Sequence, residues 1–216
     1  MDLHDPTRLQ NCRDRVHLWQ TFFNTVRPAR VAEVGVWRGE FAAAMLAQCE
    51  SIETYYLIDP WAHLPDWNKP FNVSTEQFEA IHREAMQRTE FASDKRVVLR
   101  GRTKEVVDRL EDASLDFIYV DGDHTLRGIA LDLMLLFPKV RPTGYLGGDD
   151  FAPSPWEHGP GFEPTFVYPF AVYFAEAMNV TIRALPFHQF LIQRAQTGFR
   201  FVDPSGQYGN PTVREQ

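Results

Sequence analysis

The chain has 216 residues, 44% of them hydrophobic and 24% charged, with a formal net charge of −7. That is the composition of one ordinary globular domain with enough chain for a substantial core. The acidic balance argues against a nucleic-acid backbone as partner, and no apolar run approaches the ~18 residues that a membrane span needs.

The start, MDLHDPTRLQNCRDR, lacks the charged-then-apolar design of a secretory signal. Cys12 and Cys49 are too few and too unpatterned for a disulfide framework or a zinc site, so a cytoplasmic protein with two reduced thiols is expected. Asp5–Pro6 reads as an N-cap followed by an N1 proline. Leu9, Cys12, Val16, Trp19, Phe23 and Val26 then recur at helical spacing, which predicts an N-terminal helix within 1–27 that Arg27–Pro28 ends. Its apolar face is free to cover this chain's own sheet or that of a second copy in a homo-oligomer.

RVAEVGVW (30–37) predicts a first strand, EFAAAMLAQC (40–49) a helix, and TYYLID (54–59) a second strand tipped by an acid. A Trp/Pro-rich loop follows from Pro60 to Pro70. Ser74-x-x-Gln77 is a capping box for a helix carrying Phe78, Ile81 and Ala85. RVVLRG (96–101) predicts a third strand, after which Thr103 can cap a short helix with Val106, Val107 and Leu110. LDFIYV (115–120) is a fourth strand. Leu126, Ile129, Ala130, Leu133, Met134 and Phe137 then hold one face of a helix stopped by Pro138. GYLGG (144–148) predicts a fifth strand, and the following FAPSPWEHGPGFEP (151–164) is too proline-rich for regular structure. An apolar helix near 166–178, strands VTIRAL (180–185) and QFLIQR (189–194), and a loose polar tail at 203–216 complete the chain. Strands alternating with helices predict a single α/β domain over 1–216: a doubly wound parallel sheet, helices on both faces, and one antiparallel strand in the closing pair.

Acids gather at the strand tips. Asp121-x-Asp123-His124 ends the fourth strand and Asp149–Asp150 the fifth. Parallel neighbours ~4.8 Å apart would bring these carboxylates to one sheet edge, where they repel unless compensated. A divalent cation is the simplest compensation, and an all-oxygen ligand set points to Mg²⁺. Glu33-x-Gly35-x-x-x-Gly39 lies at the first strand-to-helix turn, where glycines let backbone approach a ligand. The spacing is wider than the dinucleotide-binding G-x-G-x-x-G. Asp59 ends the second strand, where an acid commonly grips ribose hydroxyls, and Arg100–Thr103 ends the third.

With VAEVGVWRGEFAAAML, YYLIDPW, VVLRGRTKEVVDRL, LDFIYVDGDHTLRGIALDLMLLFPKVRPTGYLGGDD and FHQFLIQR, the chain resembles class I S-adenosylmethionine-dependent methyltransferases over roughly 30–195. More narrowly, it resembles the metal-dependent O-methyltransferases of the macrocin and novobiocin-sugar kind. The resemblance implies a Rossmann-like sheet of seven strands with the last antiparallel. It also implies that the turn with Glu33, Gly35, Val36, Trp37 and Gly39 holds the methionine end of the cofactor and Asp59 its ribose. Arg102 and Thr103 fall beside the adenine, and Asp121 beside both cofactor and metal. Asp121, Asp149 and Asp150 are then the Mg²⁺ ligands. His124 and Asp123 compete as general base, with His124 preferred because an imidazole titrates nearer neutrality.

The implied reaction moves a methyl group to a hydroxyl of a small molecule with neighbouring hydroxyls, a sugar or a catechol-like ring. The 151–166 loop would lie on the acceptor side. Two other readings stand beside it: a nicotinamide-dependent dehydrogenase on a similar sheet, and a non-catalytic S-adenosylmethionine-binding module.

Overall fold

A computed structural model describes residues 9–194 and 198–209. Eight strands form one sheet: β1 (Arg30–Val34), β2 (Thr54–Asp59), β3 (Arg96–Arg100), β4 (Leu115–Val120), β5 (Val140–Gly148), β6 (Thr181–Leu185), β7 (Gln189–Gln193) and β8 (Arg200–Val202). Their order is β3-β2-β1-β4-β5-β7-β6-β8. Only β7 runs antiparallel to its neighbours. The chain winds outward from β1 to β3, then crosses back to β4 on the other side of β1. That reversal puts the topological switch point, where ligands bind in such sheets, between the ends of β1 and β4.

The helices are α1 (Arg15–Val26), α2 (Glu40–Gln48), α3 (Thr75–Arg88), α4 (Thr103–Val106), α5 (Leu126–Leu136) and α6 (Val167–Ala177). Strand periodicity sorts the core into two layers. Phe117 and Tyr119 of β4 face the layer built by α1, α2 and α3, whereas Ile118 and Val120 face that of α4, α5 and α6. Trp19, Phe22 and Phe23 of α1 pack against Phe117, and the first two also reach Tyr119 and Tyr145 respectively. Helix α1 therefore covers this chain's own sheet. Trp19 is admitted by Gly147, where a Cβ would lie 2.4 Å from the indole.

Four expectations are corrected. The sheet has eight strands, not seven, because Arg200–Val202 adds a short edge strand parallel to β6. The tail beyond it is tied down as far as Tyr208, whose hydroxyl donates to the Phe151 carbonyl; residues 210–216 lie outside the described residues. The N-terminal helix breaks after Gln10 and restarts at Arg15, because Asp14 accepts from the His17 N–H at 2.8 Å and caps the new helix. Asp5–Pro6 lies outside the described residues. Finally, Arg102 rather than Thr103 is the N-cap of α4, and Glu105 reaches back to the Arg102 N–H at 2.9 Å. The Ser74–Gln77 capping box forms as expected. Among the described residues no helix is long and apolar enough to cross a membrane.

Candidate active site

Backbone ladders extend one residue past each central strand and gather the site. The Gly35 N–H donates to the Ile58 carbonyl (3.0 Å), Asp121 to Val34 (2.8 Å), Asp149 to Val120 (3.1 Å), and Gly101 to Asp59 (3.0 Å). All the strand-tip residues singled out in the sequence thus meet along one carboxyl edge.

On the β1–β2 side, Gly35 has φ +85°, and a Cβ there would lie 1.9 Å from the Asp121 carbonyl oxygen. The glycine is required for the turn to clear β4. Gly39, at φ +72°, is the N-cap of α2. Glu33 is buried, its Oε2 accepting from the Tyr55 hydroxyl at 2.7 Å. Burial pushes its carboxyl up to about 8, with the Tyr55 bond opposing. Asp59 accepts the Trp37 N–H on Oδ2 (2.9 Å) and the Trp61 N–H on Oδ1 (2.7 Å), clamping the glycine turn to the 60–72 loop. Burial raises it to about 6 against those bonds. Val36 is buried beneath this turn. Arg102 pairs with Glu105 (2.8 Å), and Thr103 and Asp132 are both buried.

On the β4–β5 side lies a charged network. The half-buried Arg15, first residue of α1, places one guanidinium nitrogen 3.2 Å from Asp121 Oδ2 and in contact with Asp149 Oδ2. Asp149 Oδ1 accepts from the Gln189 amide and from the Asp150 N–H (2.8 Å). Asp150, at φ +55°, pairs with His124 Nδ1. His124 Nε2 lies 3.4 Å from Asp121 Oδ1 without meeting it in a hydrogen bond, and has no hydrogen-bond partner among the described residues. Burial works against a charged imidazole here, but Asp150 and Asp121 outweigh it and lift His124 to about 10. Burial likewise opposes charge on Asp150, yet His124 brings that carboxyl below its usual value. Asp149 is raised to about 7 by burial and by Asp121. Asp123 is turned away from this network: its Oδ1 accepts from the Thr125 N–H and from the Trp67 indole, both at 3.0 Å.

The 60–72 and 151–166 loops close over the edge together. The Asn68 N–H donates to Glu163 Oε2 (3.0 Å) and the Glu163 N–H to the Asn68 carbonyl (3.1 Å). Buried Lys69 donates to the Glu163 carbonyl (2.7 Å) and to Thr165 Oγ1 (3.2 Å). The His158 ring lies parallel to that of His124 at 6.4 Å.

The expected Mg²⁺ does not fit this arrangement. The oxygens of Asp121, Asp149 and Asp150 that would ligate it are turned onto Arg15 and His124. A dication about 4 Å from the guanidinium would meet roughly 8 kcal/mol of repulsion at an effective dielectric of about 20, so it would have to displace Arg15. Among the described residues, no group of three His, Cys, Asp or Glu side chains is arranged to hold a metal ion. The compensation inferred for the acid cluster is present, but the chain itself provides it. Sequence reasoning missed Arg15, Gln189 and Lys69. Arg15 carries no local signal, since its partners lie 106 and 134 residues away.

A doubly wound sheet with a glycine turn, strand-tip acids and a two-loop cover at its switch point defines a Rossmann-like ligand-binding domain. The chain belongs to the methyltransferase domain family, whose sequence profile matches residues 32–151. This sets aside the dehydrogenase reading. An uncharacterised Sinorhizobium fredii protein is 24% identical over 119 residues, and the matched region is 55% of this chain but only 13% of that protein's length.

Solved structures share the fold. A candidate caffeoyl-CoA O-methyltransferase from Staphylococcus aureus aligns with TM-score 0.60 at 13% identity, covering 87% of each chain. The O-methyltransferase TomG from Streptomyces achromogenes, solved with S-adenosylmethionine, aligns at 0.57 and 15% identity, covering 84% of this chain and 78% of that one. A Podospora anserina methyltransferase holding S-adenosylhomocysteine aligns at 0.55 and 18% identity, covering 82% and 76%.

Proposed function

We propose that this chain is an S-adenosylmethionine-dependent O-methyltransferase. Its acceptor is a small molecule with neighbouring hydroxyls, a sugar or catechol-like ring, as for the macrocin and novobiocin-sugar enzymes that its motifs resemble. The observation that carries the reading is His124: a largely buried imidazole at the switch point, under the two-loop cover, whose Nε2 accepts or donates no hydrogen bond among the described residues and has the Asp121 carboxylate 3.4 Å away. The family match supports methyl transfer, and the cofactor forms held by the Streptomyces and Podospora proteins support S-adenosylmethionine as donor.

When bound, the cofactor supplies a methyl carbon on a sulfonium, a good leaving group for in-line attack by oxygen. In this reading the turn with Gly35, Val36, Trp37 and Gly39 receives its methionine end, Asp59 faces its ribose, and Arg102 and Thr103 border its adenine. Glu33 stiffens the turn from below through Tyr55. His124 Nε2 takes the acceptor's hydroxyl proton, with Asp150 holding the ring through Nδ1. Asp123 is the weaker base, because Trp67 and Thr125 already occupy its Oδ1. Because its carboxylate partners favour protonated His124, the base form gains population as pH rises toward about 10.

The test is transfer of label from methyl-labelled S-adenosylmethionine to a panel of vicinal diols, with the linkage assigned by NMR. A methyl ether on one of two neighbouring oxygens is expected. Label delivered to nitrogen or carbon, or no cofactor binding by calorimetry, would sink the reading.

A further inference from the structure

We propose that Arg15 is the resident cation of the acid cluster, so that the site works without a bound divalent ion. The inference rests on the methyl-transfer reading only where turnover is concerned. Three observations carry it. First, a single guanidinium nitrogen bridges Asp121 and Asp149, the two acids that end neighbouring strands β4 and β5.

Second, Arg15 is placed by construction rather than by a surface encounter. Asp14 caps its helix, and one turn on Trp19 is fully buried against Gly147. The Trp19 indole donates to Gln189 Oε1 at 2.8 Å, while the Gln189 amide nitrogen donates to Asp149. Helix, antiparallel strand and acid are locked in one chain of hydrogen bonds, and Arg15 enters the cluster from the same helix. Third, the remaining acid is also answered from within, since Asp150 pairs with His124. Each of the three acids proposed as metal ligands thus has a partner from the chain itself.

Arg15 is thus a positioning residue: it neutralises and orients Asp121 and Asp149, which in turn border His124. The guanidinium stands where an ion would stand, but it cannot dissociate or be chelated. Its planar fork also directs its hydrogen bonds, which a spherical ion does not.

The test is Mn²⁺ binding to chelator-treated full-length protein, read by the electron paramagnetic resonance of the free ion with and without S-adenosylhomocysteine. Wild type is expected to bind no tighter than about 1 mM, the weak end of oxygen-ligand sites. Arg15→Met, which removes the charge but keeps the stem, is expected to bind at least about tenfold more tightly, and Arg15→Lys to bind as weakly as wild type. Methyl transfer by wild type should be unchanged by chelator. Micromolar Mn²⁺ binding by wild type would overturn the proposal. So would an Arg15→Met protein with native circular dichroism that binds no better than wild type. If Arg15→Met fails to fold, the wild-type titration decides alone. A chain that never transfers a methyl group would still return this metal result, so failure of the functional reading and failure of the Arg15 assignment are distinguishable.

Discussion

On the β1–β2 side of the switch point, Glu33 and Asp59 rest on neutral donors: a tyrosine hydroxyl and two backbone N–H groups. On the β4–β5 side, Asp121, Asp149 and Asp150 face charged partners, Arg15 and His124. Burial raises both acids of the first side, to about 8 and about 6. On the second side it competes with real counter-charges, and Asp150 ends up lowered. Neutral donors brace both carboxyls of the first side without overcoming burial, whereas the second side divides: Asp149 is raised to about 7 beside Arg15 and Asp121, and Asp150 is lowered beside His124. In the proposed reaction the first side therefore offers the cofactor a neutrally braced turn, and the second is where charge and protons are handled.

The sharpest break in that contrast is His124→Gln, which leaves the glycine side intact. It is expected to cost roughly 10²–10⁴ in methyl transfer, the usual worth of a general base, with cofactor affinity by calorimetry unchanged. Gly35→Ala attacks the other side. A Cβ 1.9 Å from a backbone oxygen, at positive φ, should cost about 4 kcal/mol in urea unfolding.

Glu33→Gln tests the neutral bracing directly. Because the folded pKa of Glu33 is raised from 4.5 to about 8, its contribution to stability is fully present below about 4.5 and lost as pH rises through about 8. The amide variant lacks that loss, so it should gain on the order of 2 kcal/mol relative to wild type between pH 5 and 9. Asp150→Asn tests the charged side. His124 is raised from 6.5 to about 10, so the pair's stabilisation is present below about 6.5 and lost as pH rises through about 10. Without Asp150 that slope shrinks, and the acid limb of the pH–rate profile should move down by about one to two pH units. The smallest effect is Trp67→Phe, which frees Asp123 from the loop. Thermal unfolding should show a loss of about 1 kcal/mol, one hydrogen bond, with kcat within a few-fold of wild type. A large kcat effect here would move the base assignment to Asp123.

Much of this was legible because α/β folds write their sites at strand tips. The tips of β1, β2, β4 and β5 could be read from apolar runs ending in acid or glycine, and their convergence follows from parallel pairing. The Ser74 and Pro138 signals acted locally and held, with α5 ending at Leu136 before a 3-10 turn through Pro138. What stayed hidden was long-range. Asp59 could be read as an acid at a strand tip, but only the folded loop brings the Trp37 and Trp61 N–H groups onto its oxygens. The acid cluster correctly signalled a need for positive charge, but sequence spacing could not say that the charge would arrive on α1. Strand β8 is three residues long, below what periodicity can resolve.

Gln189 has a consequence for the whole architecture. Its Oε1 accepts from both the Trp19 indole and the Tyr119 hydroxyl, so its amide nitrogen must face Asp149 and the Phe187 carbonyl. Every donor and acceptor of the side chain is spent, and the amide has one permitted orientation. A carboxylate at 189 would turn the two donations into repulsion, against Asp149 and against the Phe187 carbonyl; an aliphatic side chain would strand the indole and phenol. The antiparallel strand is thus a keyed connector as well as an added strand. Since a one-residue slip of β7 would carry Gln189 to the opposite face, the register of that strand and the readiness of the acid cluster are a single property of the fold.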